Sequence, residues 1–424
     1  MGHVFAPTVP SATIAGGTLC RPSSRGRMPS PGRMAGLDLA RGLAIMGMFA
    51  AHVGPDPSVG GPLGWAMEVA RGRSSALFAL LAGFTLVLLM GRPEPHTGRR
   101  GRQAAGRVLI RAAILLALGY ALVLLDTDVD VILPFYGLLF VLALPLHRMS
   151  ARTLALIALS TALVMPQVLY LLRSSLDGGG LDGGGLDGGG LAGALATLDP
   201  LARITGSDGF LGLFVTGEYP ALTWFSFIVA GMAVARLDLS RRGTAPKLAI
   251  TGAALAVIGY GGSWLALHTV PGALAGVSAA TGGGPAASAW WSDAAGEASA
   301  TGHPAWLLVA SPHSQTTWSV LGNTGVALAV LAGCLIAVRL AGPRARLPAP
   351  LVAVGSISLT AYVAHILAIR LLDAVGGDEW PALPVLLGFA VAAMAAAVLW
   401  TRFHRRGPLE RLLHSATEPA RLIR

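Results

Sequence analysis

The sequence predicts an all-α fold, a polytopic transmembrane helical bundle of about ten helices with both termini on the cytoplasmic side. Three observations carry that reading. Of the 424 residues, 54% are hydrophobic and 12% charged, about half the charged share of a soluble domain. The apolar residues come in long blocks, which lipid accommodates and an aqueous surface does not. The basic residues gather in alternate connections between those blocks.

In chain order, residues 1–34 are rich in Pro, Gly, Ser and Arg and read as a disordered cytoplasmic tail. They hold no apolar run of signal-peptide length. Apolar segments follow at 36–54, 74–91, 108–125, 131–146, 153–172, 217–236, 247–268, 317–338, 351–371 and 381–401. Most reach the roughly 17–25 residues that cross a hydrocarbon layer of ~30 Å. The fourth is short, with Pro134 near its start. Together they define a bundle over 35–401, followed by a basic cytoplasmic tail at 402–424.

With the N-terminus inside, the connections 92–107, 147–152, 237–247 and 339–350 face the cytoplasm. They carry Arg92, Arg99, Arg100, Arg102, Arg107, Arg148, Arg152, Arg241, Arg242 and Lys247. The opposite connections carry Asp126, Asp128, Asp130, Asp293 and Glu297. This asymmetry fits an even number of crossings. The net charge of +10 is thus an orientation signal. Aromatic residues make up only 6% and do not interleave with the basic clusters, which argues against nucleic-acid binding.

Two outer connections are long. One, 173–216, contains three tandem Leu-Asp-Gly-Gly-Gly units from Leu176, a composition that makes a flexible linker. The other, 269–316, carries Trp290, Trp291, Trp306, His303 and His313, and its tryptophans are expected at lipid headgroups. Cys20 lies in the tail and Cys334 inside an apolar segment, so no disulfide framework follows. No His, Cys and carboxylate grouping has metal-ligand spacing, and no phosphate-binding loop is present.

The first apolar segment carries two ionisable groups, Arg41 and His52. Eleven residues of helix separate them by about 16 Å, and they project from nearly the same face. An intramembrane Arg costs about 2.5–3.5 kcal/mol, so it requires a partner or a function. Asp38, one turn earlier, is an available partner, and His52 reads equally as an interfacial histidine or a reactive one. Arg71 and Arg73 stand on the outer side against the charge trend and either hold an anionic acceptor or reach for headgroups. Glu218, in Gly217-Glu218-Tyr219-Pro220, is either a solvated carboxylate or the partner of a histidine. His313, in Ser311-Pro312-His313-Ser314, reads first as a loop residue and second as one that lines the site.

The run Arg41-Gly42-Leu43-Ala44-Ile45 with His52 resembles the first-helix signature of the acyltransferase-3 family and of the heparan-α-glucosaminide N-acetyltransferase group. Leu77-Phe78-Ala79-Leu80-Leu81-Ala82-Gly83-Phe84 is similar to the Phe-Phe-x-x-Ser-Gly-Phe run of that superfamily, with Ala82 in place of Ser. Tyr362 and His365 form a Tyr-x-x-His near the chain's end, another of its features. The segment Gly355–His365, with Arg406-Gly407-Pro408-Leu409-Glu410 after it, also resembles YeiB-like bacterial membrane proteins. Those usually have Gln at the position of His365 and Asn at that of His52.

The resemblance implies an integral, multi-pass protein of the cytoplasmic (inner) membrane that transfers an acyl group. Acyl-CoA, with acetyl-CoA foremost, is then a co-substrate rather than a bound cofactor. Its phosphates would meet Arg41 and the basic connection 92–107. His52 would serve as base or acyl carrier, with His365 and Tyr362 beside it. Arg71, Arg73 and Glu218 would then meet an acceptor hydroxyl or amine, such as that of an envelope sugar, at the outer side. The rival class is a transporter or flippase, since intramembrane Arg and His also line transport paths.

Overall fold

The computed structural model describes residues 31–177, 199, 201, 209–294, 303–341, 349–377 and 380–423. Residues 1–30 of the expected N-terminal tail and most of the Gly-rich repeat lie outside them, and residues 31–34, expected in that tail, open a helix. Among the described residues the secondary structure is helical, without strands. The main elements are α1 (Pro31–Val53), α2 (Gly61–Ala70), α3 (Arg73–Met90), α4 (Gly98–Val123), α5 (Leu133–Ala143), α6 (Ala151–Asp177) and α7 (Ala221–Arg236). After them come α8 (Thr244–Thr269, with a π turn at Val257–Gly261), α9 (Ala273–Ala280), α10 (Thr317–Ala341), α11 (Ala349–Ser356), α12 (Ser358–Ala374), α13 (Ala382–Phe403) and α14 (Pro408–Ala416).

Every one of the ten apolar segments is helical, but the count of spans differs from ten. Six helices of the described residues are long and apolar enough to cross a membrane, or up to eight if each of two bent pairs is one span. The pairs are Gly209–Thr216 with α7, bent by 66°, and α11 with α12, bent by 87°. α5 is shorter, as Pro134 near its start implied. α1 is interrupted by Asp38, Arg41 and His52, so its apolar surface is less continuous.

The centre of the bundle is α1, α3, α7 and α10, with α4, α5 and α6 on one side and α11–α13 on the other. Glycines close the crossings that set α1, α3 and α7 against their neighbours. A Cβ on Gly83 of α3 would stand 1.9 Å from the carbonyl oxygen of Ile228, and one on Gly231 of α7 would stand 1.8 Å from that of Leu80. Gly42 of α1 and Gly355 of α11 do the same, at 2.1 Å from the Leu351 oxygen and 1.7 Å from the Asp38 oxygen. Without an aqueous driving force between helices, such close backbone approach supplies the packing. It also fixes α1 against the break that aims α12.

That break is held from the C-terminal segment. The Glu410 carboxylate of α14 accepts from the backbone N–H groups of Leu359 (2.8 Å) and Thr360 (3.2 Å) and from Thr360 Oγ1 (2.6 Å). These are first-turn donors of α12 that the helix itself leaves unpaired. The basic tail is therefore folded where it meets the bundle.

Candidate active site

α1 carries Arg41 near its middle, toward one end of the bundle, and His52 in its last turn, toward the other, and different partners receive them. At one end, Arg41 Nη1 lies 2.8 Å from Asp38 Oδ1 and Nη2 donates to Thr85 Oγ1 at 2.8 Å. The same end holds a cavity of about 210 Å³ lined by Arg41, Thr85, Arg111, Tyr136, Phe78 and Glu410, among others.

At the other end, His52 Nδ1 and His365 Nε2 are 3.0 Å apart. The rings lie nearly parallel, at 10°, with centroids 5.2 Å apart. His365 is 3% exposed. Its Nδ1 faces the Ala361 and Tyr362 carbonyls one turn back, off hydrogen-bond geometry. Phe49 packs on the His365 ring at 5.0 Å and Tyr362 on its edge at 5.1 Å. The Tyr362 hydroxyl accepts from Ile132 N at 3.1 Å, tying α12 to the start of α5.

His52 and Tyr362 line a second cavity of about 210 Å³, shared with Arg71, Asp128, Asp130, Glu218, Tyr219, Asp293 and His313. The two cavities are separated by aromatic rings. Phe78 stacks on Tyr136 (5.7 Å) and on Tyr362 (6.5 Å).

The structure sorts Arg71 from Arg73. Arg71 lines the cavity, with Nη1 2.7 Å from Asp293 and Nη2 3.2 Å from Asp56. Arg73 is buried and does not line it. Its guanidinium donates to Tyr260 Oη (3.0 Å), to the Glu68 carbonyl (2.9 Å) and to the Trp291 carbonyl. Trp291 thus caps Arg73, and Trp290 packs on a small second core around Val277 and Val309.

Glu218 does meet a histidine, and it is His313. The Nδ1 of His313 approaches Glu218 Oε1 to 2.6 Å, a charge contact off the axis of a linear hydrogen bond. His313 lies in the connection ahead of α10. Burial alone would push its pKa down, but Glu218 beside it, with Asp130 and Asp293 farther off, holds it above the ordinary imidazole value. His313, read first as a loop residue, stands at the cavity wall, the lesser of its two readings. The available signal was depth: it directly precedes an apolar helix at the end of the bundle that also holds His52 and His365. Arg111, Thr85 and Glu410 at the other cavity were likewise not singled out by spacing.

Comparison with known families divides the chain along this architecture. Residues 33–178 match the family described as heparan-alpha-glucosaminide N-acetyltransferase, catalytic. Residues 286–419 match a protein family of unknown function, DUF418, which is the YeiB-like family. Residues 33–178 are thus similar to membrane acetyltransferases and residues 286–419 to the YeiB-like proteins. No curated protein matches the chain. The acetyltransferase-type segment supplies Arg41, His52 and Arg71, and the YeiB-like segment supplies Asp293, His313, Tyr362 and His365. The histidine cavity is therefore shared: His52 comes from one matched segment and its partner His365 from the other.

Proposed function

We propose that this protein is an acyl-CoA-dependent acyltransferase of the cytoplasmic membrane, moving an acyl group, foremost acetyl, to a hydroxyl or amine acceptor at the outer side. The observation that carries the reading is the His52–His365 contact of 3.0 Å at the wall of a polar cavity. With the shared proton on His52 Nδ1, His365 Nε2 accepts it, and His52 Nε2 keeps its lone pair. A base oriented by a second group is the arrangement that activates a weak nucleophile. His365 is a positioning residue in this scheme, and Tyr362 holds the helix that carries it.

The donor enters from the Arg41 side. There Arg41 and Arg111 of α4 flank a cavity, a setting suited to phosphates. Arg41 is already engaged by Asp38, so it offers a phosphate the remaining face of a paired guanidinium. The acceptor binds in the cavity lined by Glu218 and Arg71. A transport reading draws on the same two cavities and their aromatic divide.

Thermal stability of the purified protein against CoA and acetyl-CoA tests the donor. A ligand that binds only the folded state at 100 times its Kd adds about 2.7 kcal/mol. Stabilisation of wild type that is lost in Arg41→Ala, together with acetyl-CoA-dependent release of free CoA that is lost in His52→Ala, supports the transferase. Saturating CoA species without effect on folded wild type would overturn it and leave accumulation in vesicles as the assay to run.

A further inference from the structure

The histidine cavity contains a second imidazole of opposite character. His52 faces another imidazole, His365, while His313 faces a carboxylate, Glu218. Both His52 and His313 line the one cavity.

The segment that carries His313 is built to hold it there. His313 and Gln315 have φ of +57° and +59°, a region non-glycine residues rarely occupy. Such strain persists only where the surroundings over-determine it. Here they do so through buried polar anchors. Gln315 Oε1 accepts from Thr223 Oγ1 (2.8 Å) and Trp224 Nε1 (3.0 Å), and its Nε2 donates to the Glu218 carbonyl (2.8 Å). Ser311 Oγ donates to the Ala289 carbonyl at 3.0 Å. Across the turn, Gly72 admits the loop: a Cβ there would lie 3.1 Å from Pro312 and 3.3 Å from the His313 ring. The imidazole itself rests against Tyr219 (5.4 Å) and over Trp224 (6.1 Å). A surface loop has no need of a strained, fully anchored histidine.

We infer that His313 is the catalytic acid of the transfer, paired with Glu218 and acting opposite the base His52. This rests on the transferase reading. His52 Nε2 takes the proton of the acceptor O–H or N–H as that atom bonds to the thioester carbonyl carbon. The C–S bond then breaks with its electron pair on sulfur, and the thiolate takes the proton of His313 Nε2. Return of one proton from His52 to His313 through cavity water restores the starting state. Environments that push two titratable groups in opposite directions are what divides acid from base in one site.

The charged groups around His313 all bear on its titration. Glu218 comes from the segment ahead of α7, Asp130 from that ahead of α5 and Asp293 from the loop after α9, and all three favour the cation. His52 on α1, Arg71 after α2 and Arg173 on α6 line the cavities beside it and oppose the cation.

The test is the pH profile of CoA release from acetyl-CoA by the full-length protein in proteoliposomes, with glucosamine as the acceptor probe. Wild type should show a bell, its alkaline limb set by His313. His313→Gln should lose that limb, keep the acidic limb, and drop kcat about 10²-fold or more with KM unchanged. Glu218→Gln, which keeps the imidazole, should move the alkaline limb to lower pH. A His313→Gln protein that matches wild type in rate and profile overturns the acid role alone. A wild type that releases no CoA overturns the transferase reading, and the acid role with it.

Discussion

Glu410, in the last helix of the chain, closes the first turn of the helix that carries His365. Its carboxylate takes three hydrogen bonds from Leu359 and Thr360, and Leu409 N in turn donates to Thr360 Oγ1 at 3.1 Å. Losing a helix N-terminal acceptor costs about 0.5–2 kcal/mol. Glu410→Ala is expected to lower the unfolding free energy by about that amount. Thermal melts in detergent check it, with Glu410→Gln, which retains one acceptor oxygen, falling between.

The His52–His365 pair gives a second expectation. His52→Ala should reduce CoA release by about 10²–10⁴-fold, the usual worth of a positioned base. His365→Ala should cost about 10²-fold through misplacement of the His52 ring. Groups that act as a unit are not additive, so the double variant should match His52→Ala alone. A multiplied loss would mean that the two rings act separately.

His313 and Glu218 make stability depend on pH. The folded-state pKa of His313 lies above its unfolded value of about 6.5. Its contribution is therefore fully present below that value and is lost as pH rises through the folded pKa. The difference in Tm between wild type and His313→Gln should be largest near pH 6 and shrink toward alkaline pH, by about the difference the two pKa values set. In Glu218→Gln the dependence should flatten.

The helix crossings predict a contrast among glycines. Gly83→Ala and Gly355→Ala each drive a methyl into backbone carbonyl oxygen, at 1.9 and 1.7 Å. Overpacking of this kind costs about 1–3 kcal/mol, or more where backbone must move. Gly333, on α10, has nothing within 4 Å of a Cβ. Gly333→Ala should be neutral or stabilising by up to about 1 kcal/mol through helix propensity. Unfolding in mixed micelles separates the two classes.

Much of the bundle is legible in the sequence because lipid imposes a simple rule. A spanning backbone must satisfy its own hydrogen bonds, so each apolar block becomes a helix, and all ten did. The short fourth segment was visible in Pro134. The bends were not, because the 87° turn at Ile357 is set by Glu410, some fifty residues away in sequence. Arg41 and His52 were marked by their cost inside a membrane, and Asp38 by its place one turn away. Arg73 stayed open between an acceptor and the headgroups because its partners, Tyr260, Glu68 and Trp291, lie on other segments.

By itself the sequence determined an all-α membrane bundle and marked His52 as an ionisable group inside it, since helix period, apolar length and residue type are local properties. Tertiary structure alone decided that His52 reaches His365, that Glu218 chooses His313, and that an aromatic layer divides two cavities. Those facts depend on how close two helix backbones approach, and that distance is fixed where Gly42 meets Gly355 and Gly83 meets Gly231. A pairing between distant segments has no period along the chain, so only the packed bundle expresses it.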